Sequence, residues 1–418
     1  MANFWFISAP LLSHTDWGGT LKTALALRRL GHDVTWVSES KIGGYLTSAG
    51  IDFAPVSHTG WLFPPPPVPD LSAMPPQEAV TLRYRRALDT WLTESLVGDA
   101  TQAILDLAGA RGTPDGIVTD PFLTASALAA EALGVPLAVS GWIAMSAIDD
   151  EFLYPVQRVL SRDSQERVER LCARFGLAGV NFSGGSTPSI LSPHLHLSYF
   201  NEAWYAAEQD QLLPQTRFVG GFPTAPRAAP PSWLGDIPDG APLALVTLGT
   251  IFTGDLGFFS WAAHAVARAG YVPVVVIGWN MTDPEDKAKL KAALPKTTRL
   301  LNWVDFDHVL PRTRLIVHHG GMGTTHAAAV HGIPQLCVPH AADQRGNARR
   351  VAQAKVGLNL SALDVRRGAL LEGALALTRD ARVRENARRL AADLASLGGP
   401  PRAAELLAGL VGEKPLRR

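Results

Sequence analysis

A chain of 418 residues exceeds one ordinary hydrophobic core, and 47% hydrophobic with 18% charged residues describes a globular protein of two domains. Thirty-eight acidic residues balance 38 basic ones, so a formal net charge of zero gives no electrostatic case for a nucleic-acid partner. The two cysteines, Cys172 and Cys337, stand far apart without metal-ligand spacing and read as free thiols of a reducing compartment.

The run after Met1 is too short and too uncharged for a secretory leader, and no apolar run reaches about 18 residues, so a cytoplasmic location is expected. Peripheral contact with a membrane surface stays open. Residues 3–9 read as a buried strand, 10–19 as a loop and 21–30 as a helix stopped by Gly31, and 33–37 form the next strand. No G-x-G-x-x-G joins the first strand to its helix, which disfavours a dinucleotide cofactor. The loop does carry His14 at a strand's carboxyl end, where it could be a base or simply solvated. Residues 57–80 are proline-rich and form either a lid or a stiff excursion. A helical region spans 79–108. The strand 116–119 then ends on Asp120, which in front of Pro121 could equally be a helix-entry residue, and 124–133 is the following helix. Between 140 and 222 the pattern loosens around a charged helix at 156–175. Trp142, Phe152, Tyr154, Phe182, Phe200 and Trp204 are core residues one by one and suggest an apolar cleft as a group.

Residues 222–241 are dense in Pro and Gly and read as a linker. A new α/β unit opens with the strand 243–248 and its turn at Gly249 and Thr250, followed by a strand at 271–277. Residues 314–318 are a buried strand, Gly320, Gly321 and Gly323 make a turn for small residues, and 324–331 is a helix. Strand, glycine turn and helix N-terminus together form an anion site, because the first helical N–H groups lack partners and carry the positive end of the dipole. His319 stands at its mouth, with the hydroxyls of Thr324 and Thr325 beside it. After the strand 333–338 come Asp343 and Gln344, groups suited to sugar hydroxyls. His318, His319, His326, His331, His340 and Cys337 match no zinc spacing. Helices at 369–397 and 403–411 close the chain.

The stretch 314–348 resembles the nucleotide-sugar signature of the inverting GT-B glycosyltransferases, the superfamily that acts on antibiotics, sterols and carotenoids and forms glucuronides. The resemblance implies two Rossmann-like α/β/α domains facing across a cleft: acceptor side 1–222, linker 223–241, donor side 242–397, and a last helix in 398–418 packing back on the first domain. It implies that His319, Gly321, Gly323 and Thr324 hold the diphosphate, with Thr250 nearby, and that Asp343 and Gln344 hold the sugar. Trp303 would stack on the base and the backbone of Val304 would bond its edge, which argues against reading Asp305 and Asp307 as a D-x-D metal pair. His14 would be the catalytic base and Asp120 its partner. Strict counting from Gly31 puts Asp16 at the base position, but an imidazole titrating near neutrality is the better base for an alcohol. The implied reaction moves a hexose from a UDP- or dTDP-sugar, a co-substrate rather than a cofactor, to a hydroxyl of a small apolar acceptor without a metal. Ala327 stands where UDP-using members often carry Glu, which leans towards dTDP. The alternatives are an inactive binding protein of the same shape and a nucleotide-sugar epimerase; the oligomeric state is not readable.

Overall fold

The computed structural model describes the chain apart from residues 16–17, 65, 67–68, 70, 72–73, 142, 144–154, 183–189, 227–228, 250–255, 279–282, 341–342 and 413–418. It divides into two compact units, one formed by Met1–Tyr199, Ala206–Val219 and Pro400–Arg418, the other by Phe200–Tyr205 and Gly220–Gly399.

The first unit holds a 7-stranded sheet of β1 (Asn3–Ile7), β2 (Asp33–Ser38), β3 (Asp52–Pro55), β4 (Gly116–Thr119), β5 (Leu137–Gly141), β6 (Leu195–Ser198) and β7 (Thr216–Phe218). Their order is β3-β2-β1-β4-β5-β6-β7, with each paired neighbour parallel. Side chains alternate across a strand, so Trp5 and Ile7 join one core with Val97, Ile104 and Leu128, while Phe4 and Phe6 join another with Leu27 and Trp36. That second face is completed by Ala403, Ala404 and Leu407 of the final helix, Gly399–Gly412, all fully buried. Both faces being covered explains why these strands read as continuous apolar runs.

The second unit holds a 6-stranded sheet of β8 (Leu243–Thr247), β9 (Val272–Val276), β10 (Arg299–Leu301), β11 (Thr313–His318), β12 (Gln335–Cys337) and β13 (Gly357–Asn359), ordered β10-β9-β8-β11-β12-β13 and again parallel. Ala244, Val246, Leu315 and Val317 pack against Phe258, Phe259 and Leu370 on one face, and Leu243, Leu245 and Ile316 against Val309, Leu310 and Ala328 on the other. In each sheet the chain steps outward from a central strand and then resumes on that strand's other side. Adjacent crossovers therefore diverge between β1 and β4 and between β8 and β11, and ligand crevices open beyond the carboxyl ends of such pairs.

Several local expectations shift. The helical stretch 79–108 is two helices, Pro76–Leu92 and Glu94–Arg111, broken where Thr93 adopts extended backbone angles and returns its hydroxyl to the Asp89 carbonyl. The helix after the glycine turn starts at Met322 rather than Thr324, which places Gly323 inside its first turn. Phe200 and Trp204 are buried and stacked at 4.4 Å within the second unit, and Phe182 packs on the first core, so these three are packing residues. Trp142, Phe152 and Tyr154 lie outside the described residues. Among the described residues no helix is long and apolar enough to cross a membrane.

Candidate active site

At the first crevice, the chain leaves β1 into a single helical turn, Leu12–Thr15, that carries His14, and leaves β4 directly into Asp120. Because β1 and β4 are neighbours, residues 106 apart in sequence meet: His14 Nδ1 lies 3.1 Å from Asp120 Oδ2, both side chains buried. The other carboxylate oxygen accepts the Phe122 N–H at 2.9 Å, which fixes its rotation. A carboxylate only accepts, so Nδ1 carries the proton and the ring's lone pair is on Nε2. Trp61, from the proline-rich loop, sets its ring edgewise on His14 at 4.8 Å. Below the pair lies a small cavity lined by Ser8, Thr20, Trp36 and Ser140, with Thr20 Oγ1 and Ser140 Oγ 3.0 Å apart. Asp16, the competing base position, lies outside the described residues.

At the second crevice, β11 runs into His318, His319, Gly320 and Gly321 before the helix Met322–Val330 begins. Gly320 has a φ of +86°, and a Cβ there would meet the Gln344 carbonyl oxygen at 2.7 Å, so only glycine fits. A Cβ on Gly321 would meet His319 Nε2 at 2.4 Å, and one on Gly249, just past β8, would meet His319 Cε1 at 2.8 Å. The His319 ring therefore lies against bare backbone from both strands of the switch point. Burial lowers its pKa to about 3, with the neighbouring His318 and His340 adding to the shift, so the ring is neutral and can offer an anion an N–H but no charge.

Gly323 is exposed, and a Cβ there would meet nothing within 4 Å. Thr324 is buried in the same turn, and the hydroxyl of Thr325 donates to the Gly321 carbonyl at 2.9 Å. Asp343 precedes the helix Gln344–Gln353; its carboxylate accepts from the Met322 N–H and, at 3.0 Å, from the side-chain amide of Asn347. Burial raises its pKa to about 7 despite those bonds and the charge of Arg350. Gln344 is buried and its side-chain oxygen accepts the His340 N–H at 2.8 Å. Both residues thus also serve the fold, which their side-chain chemistry alone did not suggest. Trp303, beyond β10, is 52% exposed, and Val304 beside it is buried. Asp305 caps the helix Phe306–Val309 through the Asp307 N–H at 3.0 Å, and Asp307 accepts the Thr224 hydroxyl at 2.8 Å, so both acids of the D-x-D have protein partners. Thr250 lies outside the described residues.

Sequence reasoning passed over two residues of this crevice, His318 and Asn347, which bond to the two ends of Gly320. The signals were available in the His-His doublet and in an Asn one helical turn after Asp343.

Two all-parallel α/β units of this topology make up the GT-B fold, and the Streptomyces sp. SF2575 glycosyltransferase SsfS6, solved in complex with thymidine diphosphate, aligns over 98% of this chain and 100% of its own at a TM-score of 0.67 and 20% identity. Residues 273–410 match the family model of the erythromycin biosynthesis protein CIII-like C-terminal domain. Elloramycin glycosyltransferase ElmGT of Streptomyces olivaceus is 30% identical over 303 residues, 70% of this chain and 68% of that enzyme. Demethyllactenocin mycarosyltransferase of Streptomyces fradiae is 31% identical over 194 residues, and the match spans only 41% of its length and 46% of this chain. The chain belongs to the family of antibiotic glycosyltransferases.

Proposed function

We propose that this glycosyltransferase moves a hexose from a dTDP- or UDP-sugar to a hydroxyl of a small, largely apolar natural product, with inversion and without a metal ion. The observation that carries the reading is the buried His14–Asp120 pair at the first switch point. His14 Nε2 takes the acceptor's proton as its oxygen attacks the anomeric carbon from the face opposite the diphosphate. The new C–O bond forms as the bond to the phosphate oxygen breaks, and the diphosphate leaves with the electron pair. Asp120 holds the tautomer and stabilises the imidazolium that results.

In this reading the first unit handles the acceptor and the second the donor, the enzyme acting in the cytoplasm. Charge grows on the departing diphosphate, and the groups that meet it are the N–H groups of the Met322 helix, the neutral His319, Thr324 and the nearby Thr250. Gly321 and Gly323 keep the approach clear. Asp343 and Gln344 hold sugar hydroxyls with whatever bonding capacity their structural partners leave, while Trp303 and the Val304 backbone take the base. Ala327 in place of a ribose-binding Glu favours dTDP, and the solved relative bound to thymidine diphosphate supports that leaning.

Thermal unfolding with UDP, dTDP, GDP and NAD in turn tests this. A ligand specific for the folded chain at ~100 times its Kd adds about 2.7 kcal/mol. A shift with dTDP or UDP alone is expected; a response to NAD alone, or to none of the four, would sink the reading.

A further inference from the structure

The turn that carries His319 is built around one residue, Gly320, held through both of its backbone polar groups. Gly320 donates its N–H to His318 Nδ1 at 3.1 Å, and its carbonyl accepts the Asn347 side-chain amide at 2.9 Å. Both partners are buried, His318 completely. Each is held in turn. His318 Nε2 lies 3.0 Å from Gln335 Oε1 and 3.3 Å from Cys337 Sγ, both on β12. Since Nδ1 accepts, Nε2 carries the proton and donates to the Gln335 oxygen, a tautomer fixed at both ends. Asn347 reaches Asp343, and Asp343 reaches back to Met322, the first residue of the diphosphate helix. The circuit therefore runs from β12 through the turn to the start of that helix.

We propose that His318 and Asn347 are positioning residues that clamp the two peptide groups on either side of Gly320, so that the His319 ring and the helix N–H groups converge on one diphosphate and move together with the sugar-side carboxylate of Asp343. This rests on reading the turn as the nucleotide-sugar site, and neither residue needs to touch the ligand. A purely space-filling role fits the chemistry poorly. A fully buried imidazole gives up solvation at two ring nitrogens, and burial holds His318 neutral with a pKa of about 4. An apolar side chain would fill the same space without that cost, but it would orphan the buried Gly320 N–H.

The test compares His318→Asn, whose side-chain oxygen can replace Nδ1 as acceptor, with His318→Leu, which fills space and accepts nothing. Asn347→Ala attacks the clamp from its other end and serves should the leucine variant fail to fold. Calorimetric dTDP and UDP affinities and separate donor and acceptor KM values are read on the full chain, at temperatures where unfolding curves show each variant folded. Loss of one buried hydrogen-bond partner should weaken nucleotide binding and raise donor KM about 10-fold in His318→Leu and Asn347→Ala. Acceptor KM should stay put, and His318→Asn should recover most of the loss. Folded His318→Leu or Asn347→Ala protein binding nucleotide like the wild type overturns the clamp alone, as does an Asn variant no better than Leu. Wild-type protein that binds neither nucleotide overturns the reading of the site and the clamp with it.

Discussion

Gly321→Ala is the sharpest steric probe of the second crevice. Gly321 has φ −64° and ψ 146°, angles open to alanine, so the substitution introduces no backbone strain. Its whole effect comes from the new methyl, 2.4 Å from His319 Nε2, where ordinary contact begins at 3.4 Å; the ring must retreat by the difference, about 1 Å. The ring is buried and also lies against Gly249, so the retreat is resisted. Overpacking of this kind costs about 1–3 kcal/mol of stability. A group displaced by about 1 Å from charge developing in the transition state costs roughly 100-fold in kcat/KM. Steady-state kinetics with a dTDP- or UDP-sugar and a thermal melt read the two effects separately. Gly323→Ala is the contrast. Its methyl meets no protein atom within 4 Å, and alanine in place of glycine within a helix adds about 0.5–1 kcal/mol, so the melt should rise while nucleotide affinity falls. Gly321→Ala protein with unaltered nucleotide affinity and kcat/KM would refute the placement of the His319 ring at the diphosphate.

His14→Ala and Asp120→Asn should each lower kcat by about 10²–10⁴ with donor KM little changed, and steady-state kinetics that show a matched loss in KM instead would relocate the base. Trp303→Ala removes a half-exposed ring, so stability should move by less than about 0.5 kcal/mol while calorimetry shows dTDP binding weakened by roughly 1–3 kcal/mol. Acid should destabilise the protein through three buried histidines, His196 and His318 with pKa about 4 and His319 about 3. They stay neutral in the folded chain and charge on unfolding, so their stability is full above the ordinary value of about 6.5 and is lost as pH falls towards 4, by about 2 kcal/mol per histidine at pH 5. Asp343, raised to about 7, runs the other way: protonated when folded and ionised when unfolded between pH 4 and 7, it stabilises on acidification. Denaturant titrations at pH 7.5 and 5 should therefore show a loss in the wild type and a larger one in Asp343→Asn.

The alternation of buried strands and helices was legible in the sequence because both sheets are parallel and covered on both faces, which makes each strand a short apolar run between breakers. The glycine turn was legible for the same reason that it works, since few other residues enter it. What sequence spacing does not carry is adjacency. His14 and Asp120 meet only because β4 resumes beside β1, a fact of strand order rather than of the residues between them. Phe200 and Trp204 announced burial but not which unit they would enter. The partners of Gly320 were hidden because they bond to backbone groups, which look alike at every position, and Asp343 and Gln344 showed a ligand-binding chemistry that the protein also uses on itself.

The helix Gly399–Gly412 has a consequence for how the enzyme is made. Phe4 and Phe6 leave the ribosome long before Ala403, Ala404 and Leu407, which help to cover their face of the sheet. Until that helix is made the face is only partly covered, by the helix that carries Leu21 and Leu27, with the whole second unit still to be translated. A fragment ending near residue 222 should therefore expose an apolar surface and associate, and the last helix supplied in trans as a peptide should relieve it. For the same reason, chimaeras between relatives that exchange the first half alone join one parent's sheet to the other's covering helix. Exchanges of the first unit should carry residues 400–412 along with it.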